Sequence, residues 1–263
     1  MSTKPKRKLV LVIVEGKSDK KALKNSLSEL YEQKDKDVEL FFLLQKKNGK
    51  TTGGDITTEL YYRDTNGKNY WVTKDNIVEA INERFLNDFF DTEKVFPKDI
   101  YEIIQIVDTD GAFIPEDSIV FNPNLTDEES PLYFNNRIEC VNVDNIKYRN
   151  RTKSQNLIYL AGMSKIRVRE ELVPYSIYFF SSNLDHYLFN NPNLNKSSKV
   201  RKAKAFSNQY RGNPQGFVKF FSKGKENAKY EESWEKIQLG KCSLKQKTNI
   251  YIYLSELIGS ENS

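Results

Sequence analysis

A continuous apolar run, KLVLVIV at Lys8–Val14, constrains the fold of this 263-residue chain more than any other feature. Because the run does not alternate with polar residues, both faces of the strand must be buried, as in a parallel sheet. Residues 19–32 follow with apolar side chains at helical spacing, and residues 38–44 (VELFFLL) form a second apolar run. This strand–helix–strand opening predicts an α/β fold with a mostly parallel sheet flanked by helices.

Two further apolar runs extend the predicted sheet. Residues 99–107 and 175–180 each have the length and composition of a buried strand. Between them and the opening unit, residues 49–73 are rich in glycine and carry Asp64-Thr-Asn-Gly67 between two aromatic runs. An Asn-Gly pair between apolar runs is a hairpin signal, so an inserted β-hairpin is predicted there.

Helical periodicity is found in two more segments. Residues 75–90 are predicted to be helical, with Asp75 as the candidate cap, and residues 154–169 also show helical spacing. We therefore predict a core domain and a basic helical C-terminal extension packed on it. The predicted bounds are 1–190 for the core, with an insert at about 46–98, and 191–263 for the extension.

Two acidic motifs stand where predicted strands end. Glu15 begins EGKSD directly after the first strand, and Asp108-Thr-Asp110-Gly111 follows the third. Carboxylates at the carboxyl ends of parallel strands point into the crevice where α/β sheets bind ligands. Mg²⁺ and Mn²⁺ prefer such oxygen ligands. Two alternatives stay open, since Asp19 also fits a helix cap and DTDG also fits a β-turn.

Together these motifs resemble the Toprim domain of topoisomerases, primases and related nucleases, in which a strand-end Glu and a strand-end Asp-x-Asp hold the metal. The spelling EGKSD is also similar to the overcoming-lysogenization-defect (OLD) nucleases, which use a Glu-xxx-Asp pair. The resemblance covers roughly residues 8–190. It implies a Mg²⁺ or Mn²⁺ site formed by Glu15, Asp19, Asp108 and Asp110, and a catalytic role for Glu15, Asp108 and Asp110.

A third motif, SSNLDHYL at residues 181–188, resembles a segment of standalone Toprim proteins of phage-defence loci, of the RloB-like and abortive-infection types. Asp185 stands where those proteins have Glu, and no proline follows Asn183. The resemblance implies a catalytic role for Asp185. The alternative is a helix start capped by Ser182 or Asn183. His186 is the only histidine and is interpreted as structural, which argues against histidine-dependent zinc chemistry.

The C-terminal part is basic. Residues 196–247 contain 14 Lys and Arg but only 4 Glu, whereas the net charge of the whole chain is only +5. Basic residues interleaved with aromatic ones could follow phosphates and stack bases, or could be the solvated face of helices whose aromatics are core. The candidate nucleic-acid ligands are Lys199, Arg201, Lys202, Lys204 and Arg211. Because some OLD nucleases place a lysine near the metals, Lys245 is a further catalytic candidate, with Lys247 as its alternative.

Other classes of protein are disfavoured. Asn48-Gly49-Lys50-Thr51 resembles the end of a phosphate-binding P-loop. That motif requires a glycine five residues before Gly49, and this chain has Leu44 there, so ATP hydrolysis by this chain is not expected. No apolar run reaches the ~18 residues of a membrane span. Cys140 and Cys242 lack metal or redox spacing and are predicted to be free thiols of a cytoplasmic protein.

These observations predict a metal-dependent nuclease acting on DNA or RNA, and the resemblance implies a role in anti-phage defence. The alternative is a non-catalytic nucleic-acid-binding or sensor protein that acts with a partner ATPase. A homo-oligomer is a further expectation, and no membrane partner is expected. A topoisomerase or primase is disfavoured because the chain lacks the extra domains that they need, and a Toprim-type maturation ribonuclease is disfavoured because those are usually smaller.

Overall fold

The computed structural model describes residues 8–47, 50–59, 62–63, 69–70, 72–225 and 229–259. Its strands are β1 (Lys8–Val14), β2 (Val38–Leu43), β3 (Lys46–Lys47), β4 (Lys50–Thr51), β5 (Tyr62–Arg63), β6 (Asn69–Tyr70), β7 (Ile100–Asp108), β8 (Ile119–Phe121), β9 (Leu132–Tyr133), β10 (Ile138–Cys140), β11 (Lys165–Val168) and β12 (Glu171–Phe180). Its α-helices are α1 (Lys17–Lys34), α2 (Ile77–Ile81), α3 (Asn87–Glu93), α4 (Val143–Ala161), α5 (Leu184–Phe189), α6 (Lys196–Gln209), α7 (Pro214–Ser222), α8 (Tyr230–Ile237) and α9 (Ile250–Gly259).

The fold is α/β, with a mostly parallel five-stranded sheet flanked by helices, as the sequence predicts. The strand order is β11-β12-β7-β1-β2, and only the edge strand β11 runs antiparallel to its neighbour. This arrangement is compatible with a Toprim-like fold. It places the carboxyl ends of β1, β7 and β12 side by side, so the residues that follow these strands meet at one edge of the sheet.

The central strand β1 is buried on both faces. Leu9, Leu11 and Ile13 belong to the apolar cluster on one face, and Val10, Val12 and Val14 belong to the cluster on the other. Successive side chains of a strand point to opposite faces, so a strand with helices on both sides needs an unbroken apolar run. On one side, α1 packs against α6, α7 and α9, while residues of α2, α3, α4 and α8 cover the other.

The segment between β2 and β7 contains more than one hairpin. Two short antiparallel pairs, β3–β4 and β5–β6, precede the helical stretch. The predicted turn Asp64-Thr-Asn-Gly67 lies outside the described residues. The predicted helix at 75–90 starts at Ile77 with Asn76, rather than Asp75, at the N-cap, and a π-helical turn separates α2 from α3.

The predicted helix at residues 154–169 is wrong in both bounds. Helix α4 begins eleven residues earlier, where the Asn142 side chain accepts a hydrogen bond from the Asn145 backbone N–H. It ends before Gly162, and residues 165–168 form the edge strand β11 with alternating exposed and buried side chains. Apolar spacing alone does not distinguish a short amphipathic strand from the continuation of a helix.

The burial of the C-terminal aromatics bears on whether they stack on bases or belong to the core. Phe217 and Phe221 are almost fully buried in the cluster that joins α6, α7 and α9 to α1, and Tyr210 and Phe220 pack against it. Phe217 and Phe221 therefore belong to the core, whereas Tyr210 and Phe220 remain partly exposed. Among the residues that the structure describes, no helix combines the length and the apolar character needed to cross a membrane.

Candidate metal centre

Two neighbouring parallel strands bring Glu15 and Asp108 together. Glu15 directly follows β1, and Asp108 is the last residue of β7. The backbone N–H of Asp108 donates to Glu15 Oε1 at 2.9 Å, and Asp108 Oδ1 accepts from the Leu184 backbone N–H at 2.9 Å. Each carboxylate is thus oriented by a backbone donor through one of its oxygens.

The chain turns sharply after β7 and places Asp110 on the same edge of the sheet. Asp110 has a left-handed φ of 48°, and its N–H donates to the carbonyl of Ser182 at 2.8 Å. Gly111 follows with φ 69°, and a Cβ there would lie 2.7 Å from Leu244 Cδ2. Glycine therefore suits this turn both by conformation and by space. The result is that Asp110 faces Glu15.

Asp55 is the third carboxylate of the site, and the sequence did not predict it. The N–H of Gly54 donates to the carbonyl of Glu15 at 2.8 Å, which ties the inserted segment to the end of β1. Gly53 has φ 68°, and a Cβ there would lie 2.8 Å from that same carbonyl oxygen, so a side chain would block the approach. Within the described part of the chain, Glu15, Asp55 and Asp110 each offer a carboxylate oxygen within 4.8 Å of the others.

A buried lysine lies among these acids. Lys153 on α4 is 0% exposed, and its Nζ donates to Asp55 Oδ2 and to Asp110 Oδ2, both at 2.6 Å. Glu15 Oε1 lies 3.8 Å from the same nitrogen. A buried ammonium needs such partners because its desolvation is costly. Lys153 is therefore the charged group that partly neutralises the three carboxylates.

Two neighbours of Lys153 on the same helix hold the Asp110 turn. The Arg149 side chain donates to the carbonyl of Asp110 at 2.9 Å and to the hydroxyl of Tyr133 at 2.9 Å, and that hydroxyl donates to Asp110 Oδ1 at 3.3 Å. Asn150 donates to the carbonyl of Gly111 at 3.1 Å. Hydrogen bonds thus tie the turn to α4.

Asp19 and Asp185 form a second acidic group beside the first. Asp19 accepts from the Gly16 backbone N–H at 2.7 Å, so it is the third helical residue of a capping box in which Gly16 is the N-cap of α1. Asp185 on α5 is buried and pairs with Lys199 at 2.9 Å. Asn183 caps α5 by accepting from the His186 N–H, as the cap alternative for SSNLDHYL expects. His186 is buried within this region.

The acids differ in how strongly they hold a proton. Burial and the nearby Asp55 carboxylate raise the pKa of Glu15 well above its usual range, although Lys153 opposes this. Burial, followed by Asp19 and Asp110, likewise raises the pKa of Asp108. Burial also acts on Asp110, but Lys153 and Arg149 outweigh it, so its pKa is lowered. Burial raises the pKa of Asp19 to about 6.

The raised pKa values of Glu15 and Asp108 indicate a site with more negative charge than Lys153 and Arg149 neutralise. Bringing carboxylates together raises their pKa unless a cation lies between them. A divalent cation would relieve the repulsion and displace the remaining protons. All the candidate ligands are carboxylates, and carboxylate oxygens suit Mg²⁺ or Mn²⁺ better than softer metals. The residues present therefore fit the predicted cofactor.

A cavity of about 500 Å³ opens beside Asp108 and Asp110. The loop before β9 closes it on one side, and the segment between α5 and α6 closes it on the other. Its polar lining includes Tyr133, Asn183, Asn193, Asn195 and Lys199. The carboxylates of Asp108 and Asp110 therefore line a cavity rather than being sealed inside the fold.

The basic residues that were predicted to bind nucleic acid or to act in catalysis lie in different environments. Lys199 reaches the site through its pair with Asp185, whereas Arg201, Lys204 and Arg211 are exposed on or just after α6. Lys202 is partly buried and lies over the Phe189 ring at 5.2 Å. The Lys245 side chain is exposed, and within the described ranges it makes no ion pair with the acids. The lysine that the structure brings to Glu15, Asp55 and Asp110 is Lys153.

The missed residues had only weak signals in the sequence. Asp55 follows Gly53-Gly54, a pair that favours close backbone approach, but nothing local says which strand end it approaches. Lys153 lies in a polar helical stretch, where a lysine is expected to be exposed.

A scan against protein-family models and searches of curated proteins and of solved structures found no match to this chain.

Proposed function

We propose that this chain is a divalent-metal-dependent nuclease that hydrolyses phosphodiester bonds in DNA or RNA. The observation that carries the proposal is the cluster of carboxylates around Glu15, in which Glu15, Asp55 and Asp110 each have a carboxylate oxygen within 4.8 Å of the others. Asp108 lies beside them, bonded to Glu15 through its backbone N–H. Carboxylates gathered at the carboxyl edge of a parallel sheet, open to a cavity, suit a metal that acts on an anionic substrate.

The side chains have separable tasks in this proposal. Glu15 and Asp108, each held by a backbone donor, would be the metal ligands. A bound Mg²⁺ or Mn²⁺ would supply Lewis-acid activation of water and of the phosphate. Lys199, between the acids and the cavity, would bind a phosphate oxygen and stabilise the charge that develops on it. Asp185 would orient Lys199 through their 2.9 Å pair.

The exposed basic residues after α5 support a nucleic-acid substrate. Arg201 and Lys204 are exposed on α6, the same helix that carries Lys199 to the site. A polymer whose scissile phosphate lies at the acids would pass over this surface, where Lys and Arg displace counterions from the backbone. The anti-phage setting rests on the resemblance to Toprim proteins of defence loci alone.

A second candidate is a nucleic-acid-binding or sensor protein in which the site does not catalyse. The observation that favours it is the buried Lys153, whose ammonium already bonds Asp55 and Asp110. Carboxylates neutralised in this way can be structural. A partner ATPase would then supply the chemistry.

Cleavage assays separate the two candidates. The purified chain would be incubated with plasmid DNA and with tRNA in Mg²⁺ or Mn²⁺, beside a reaction with EDTA. Glu15→Gln keeps the shape of the side chain and removes a charged ligand, and loss of one group that stabilises a transition state costs about 10²–10³ in rate. The matched control is Glu32→Gln, on the exposed face of α1. Metal-independent cleavage, or equal loss in both variants, would contradict the nuclease proposal.

A further inference from the structure

The ammonium of Lys153 lies where a metal bound by Glu15, Asp55 and Asp110 would lie. It contacts a carboxylate oxygen of each of these three residues, at 3.8, 2.6 and 2.6 Å respectively. A lysine ammonium has three donors and no acceptor, so it satisfies several carboxylates at once. A divalent cation among the same three side chains would face this positive charge at close range, where the interior screens it poorly.

Helix α4 cannot easily withdraw the lysine, because it is attached to both segments that carry its partners. Arg149 and Asn150 donate to the carbonyls of Asp110 and Gly111. Asn156 donates to the carbonyl of Thr57 at 3.0 Å, two residues after Asp55. The base of the Lys153 side chain is therefore fixed relative to both carboxylates.

The oxygens of Asp55 and Asp110 are already used by the protein. Asp110 accepts from Tyr133 on one oxygen and from Lys153 on the other. Asp55 accepts from Thr57 on Oδ1, and from Lys153 and Thr58 on Oδ2. A metal would have to compete with these hydrogen bonds for both residues.

The carboxylates of Glu15 and Asp108 differ from those of Asp55 and Asp110 in how many of their oxygens the protein uses. Each accepts a backbone N–H on one oxygen, from Asp108 and Leu184 respectively. In the part of the chain that the structure describes, no protein group donates to Glu15 Oε2 or to Asp108 Oδ2. Asp108 also lines the cavity through which a substrate would enter.

We infer that this site binds a single divalent ion, on Glu15 and Asp108, and that the Lys153 ammonium permanently takes the place of a second ion. The inference rests on the proposed metal-dependent function and specifies it. One cation of the site would be mobile and exchangeable, and the other would be part of the fold. Removing Lys153 would then create a second metal site on Asp55 and Asp110.

Counting bound Mn²⁺ tests this. The electron paramagnetic resonance signal of free Mn²⁺ is lost on binding, so a titration gives the number of ions per chain, and two neighbouring ions give a spin-coupled spectrum. We expect one ion and no coupling for the wild type, and two coupled ions for Lys153→Met. Lys147→Met, on the same helix but partly exposed in a 3.9 Å pair with Glu116, should still bind one.

Two further variants keep the test decisive if Lys153→Met does not fold. Asp55→Asn should retain one ion, whereas Asp108→Asn should weaken Mn²⁺ binding by about tenfold or more, the scale seen even for outer-shell groups. Two ions in the wild type, or an Asp55→Asn loss as large as that of Asp108→Asn, would overturn the inference while leaving the nuclease proposal intact. One bound ion without cleavage of DNA or RNA would instead overturn the proposed function alone.

Discussion

Lys153→Met should strongly destabilise the metal-free protein. Methionine has a similar length and keeps the apolar contacts of the side chain, but it removes the ammonium that bonds Asp55 and Asp110 at 2.6 Å. Removing one partner of a buried ion pair costs about 3–5 kcal/mol, because the remaining charge stays buried without compensation. In a chain of this size each kcal/mol lowers the melting temperature by roughly 2–4 °C, so a fall of about 6–20 °C follows.

The pH dependence of this loss has a defined sign. Lys153 is the leading cause of the lowered pKa of Asp110, against the effect of burial. A lowered carboxyl pKa stabilises the fold above the unfolded value, and the contribution is lost as the pH falls through the folded value. The cost of Lys153→Met should therefore be full at neutral pH and shrink once the pH falls below the ordinary aspartate value of 3.8.

Urea unfolding in EDTA at pH 7, followed by circular dichroism, measures the effect. Lys147→Met is the matched control on α4, since its pair with Glu116 is partly exposed and such pairs contribute about 0–1 kcal/mol. If Lys153→Met cost no more than the Lys147 variant, the assignment of Lys153 as the neutralising cation of the acids would be refuted.

Three further predictions concern the acids, the histidine and the basic surface. Asp108→Asn should stabilise the metal-free protein, because burial and neighbouring carboxylates disfavour its charge, and it should abolish cleavage because it removes a proposed metal ligand. Asp110→Asn should destabilise the metal-free protein by breaking the pair with Lys153. Burial lowers the pKa of His186, so the fold should lose stability as the pH falls below the ordinary value of 6.5, by at most about 1.4 kcal/mol per pH unit. Arg201→Glu with Lys202→Glu should weaken nucleic-acid binding and reduce its salt slope by about 0.9 per lost duplex phosphate contact.

A separate measurement tests each of these three predictions. Urea unfolding of the two Asn variants in EDTA should give shifts of opposite sign, and equal shifts would contradict the different environments of Asp108 and Asp110. The single imidazole signal in a proton NMR titration reports His186 directly, and a midpoint at or above 6.5 would contradict burial of a neutral ring. For the basic surface, Lys165→Glu with Arg167→Glu on the exposed face of β11 is the control, and an equal loss there would leave α6 without a special role.

The sequence predicts the sheet well because burial on both faces leaves a strong local signal. The unbroken apolar run before Glu15 corresponds to β1, and the largely apolar run before Asp108 corresponds to β7. The order of strands and helices indicates the parallel sheet. The acids that end these strands are brought together by sheet geometry alone. That part of the site follows from local pattern and topology.

The remaining part depends on contacts that no local pattern encodes. Asp55 reaches the site because Gly53 and Gly54 lie against the backbone of Glu15, in a segment whose path is not fixed by periodicity. Lys153 is buried and pairs with Asp55 and Asp110, so its role becomes visible once both are placed. The predicted candidate Lys245 illustrates the same limit, since its distance from the acids is a property of the tertiary fold.

Metal-dependent melting tests the central claim, that these acids form a divalent-metal site, most directly. Melting temperatures would be measured for the wild type and for Glu15→Gln in EDTA and across millimolar Mg²⁺ and Mn²⁺. A ligand at about 100 times its dissociation constant stabilises the folded state by about 2.7 kcal/mol, so the wild type should melt several degrees higher with metal. Glu15→Gln should lose most of that shift. A wild-type melting temperature that ignored both ions would contradict the metal centre.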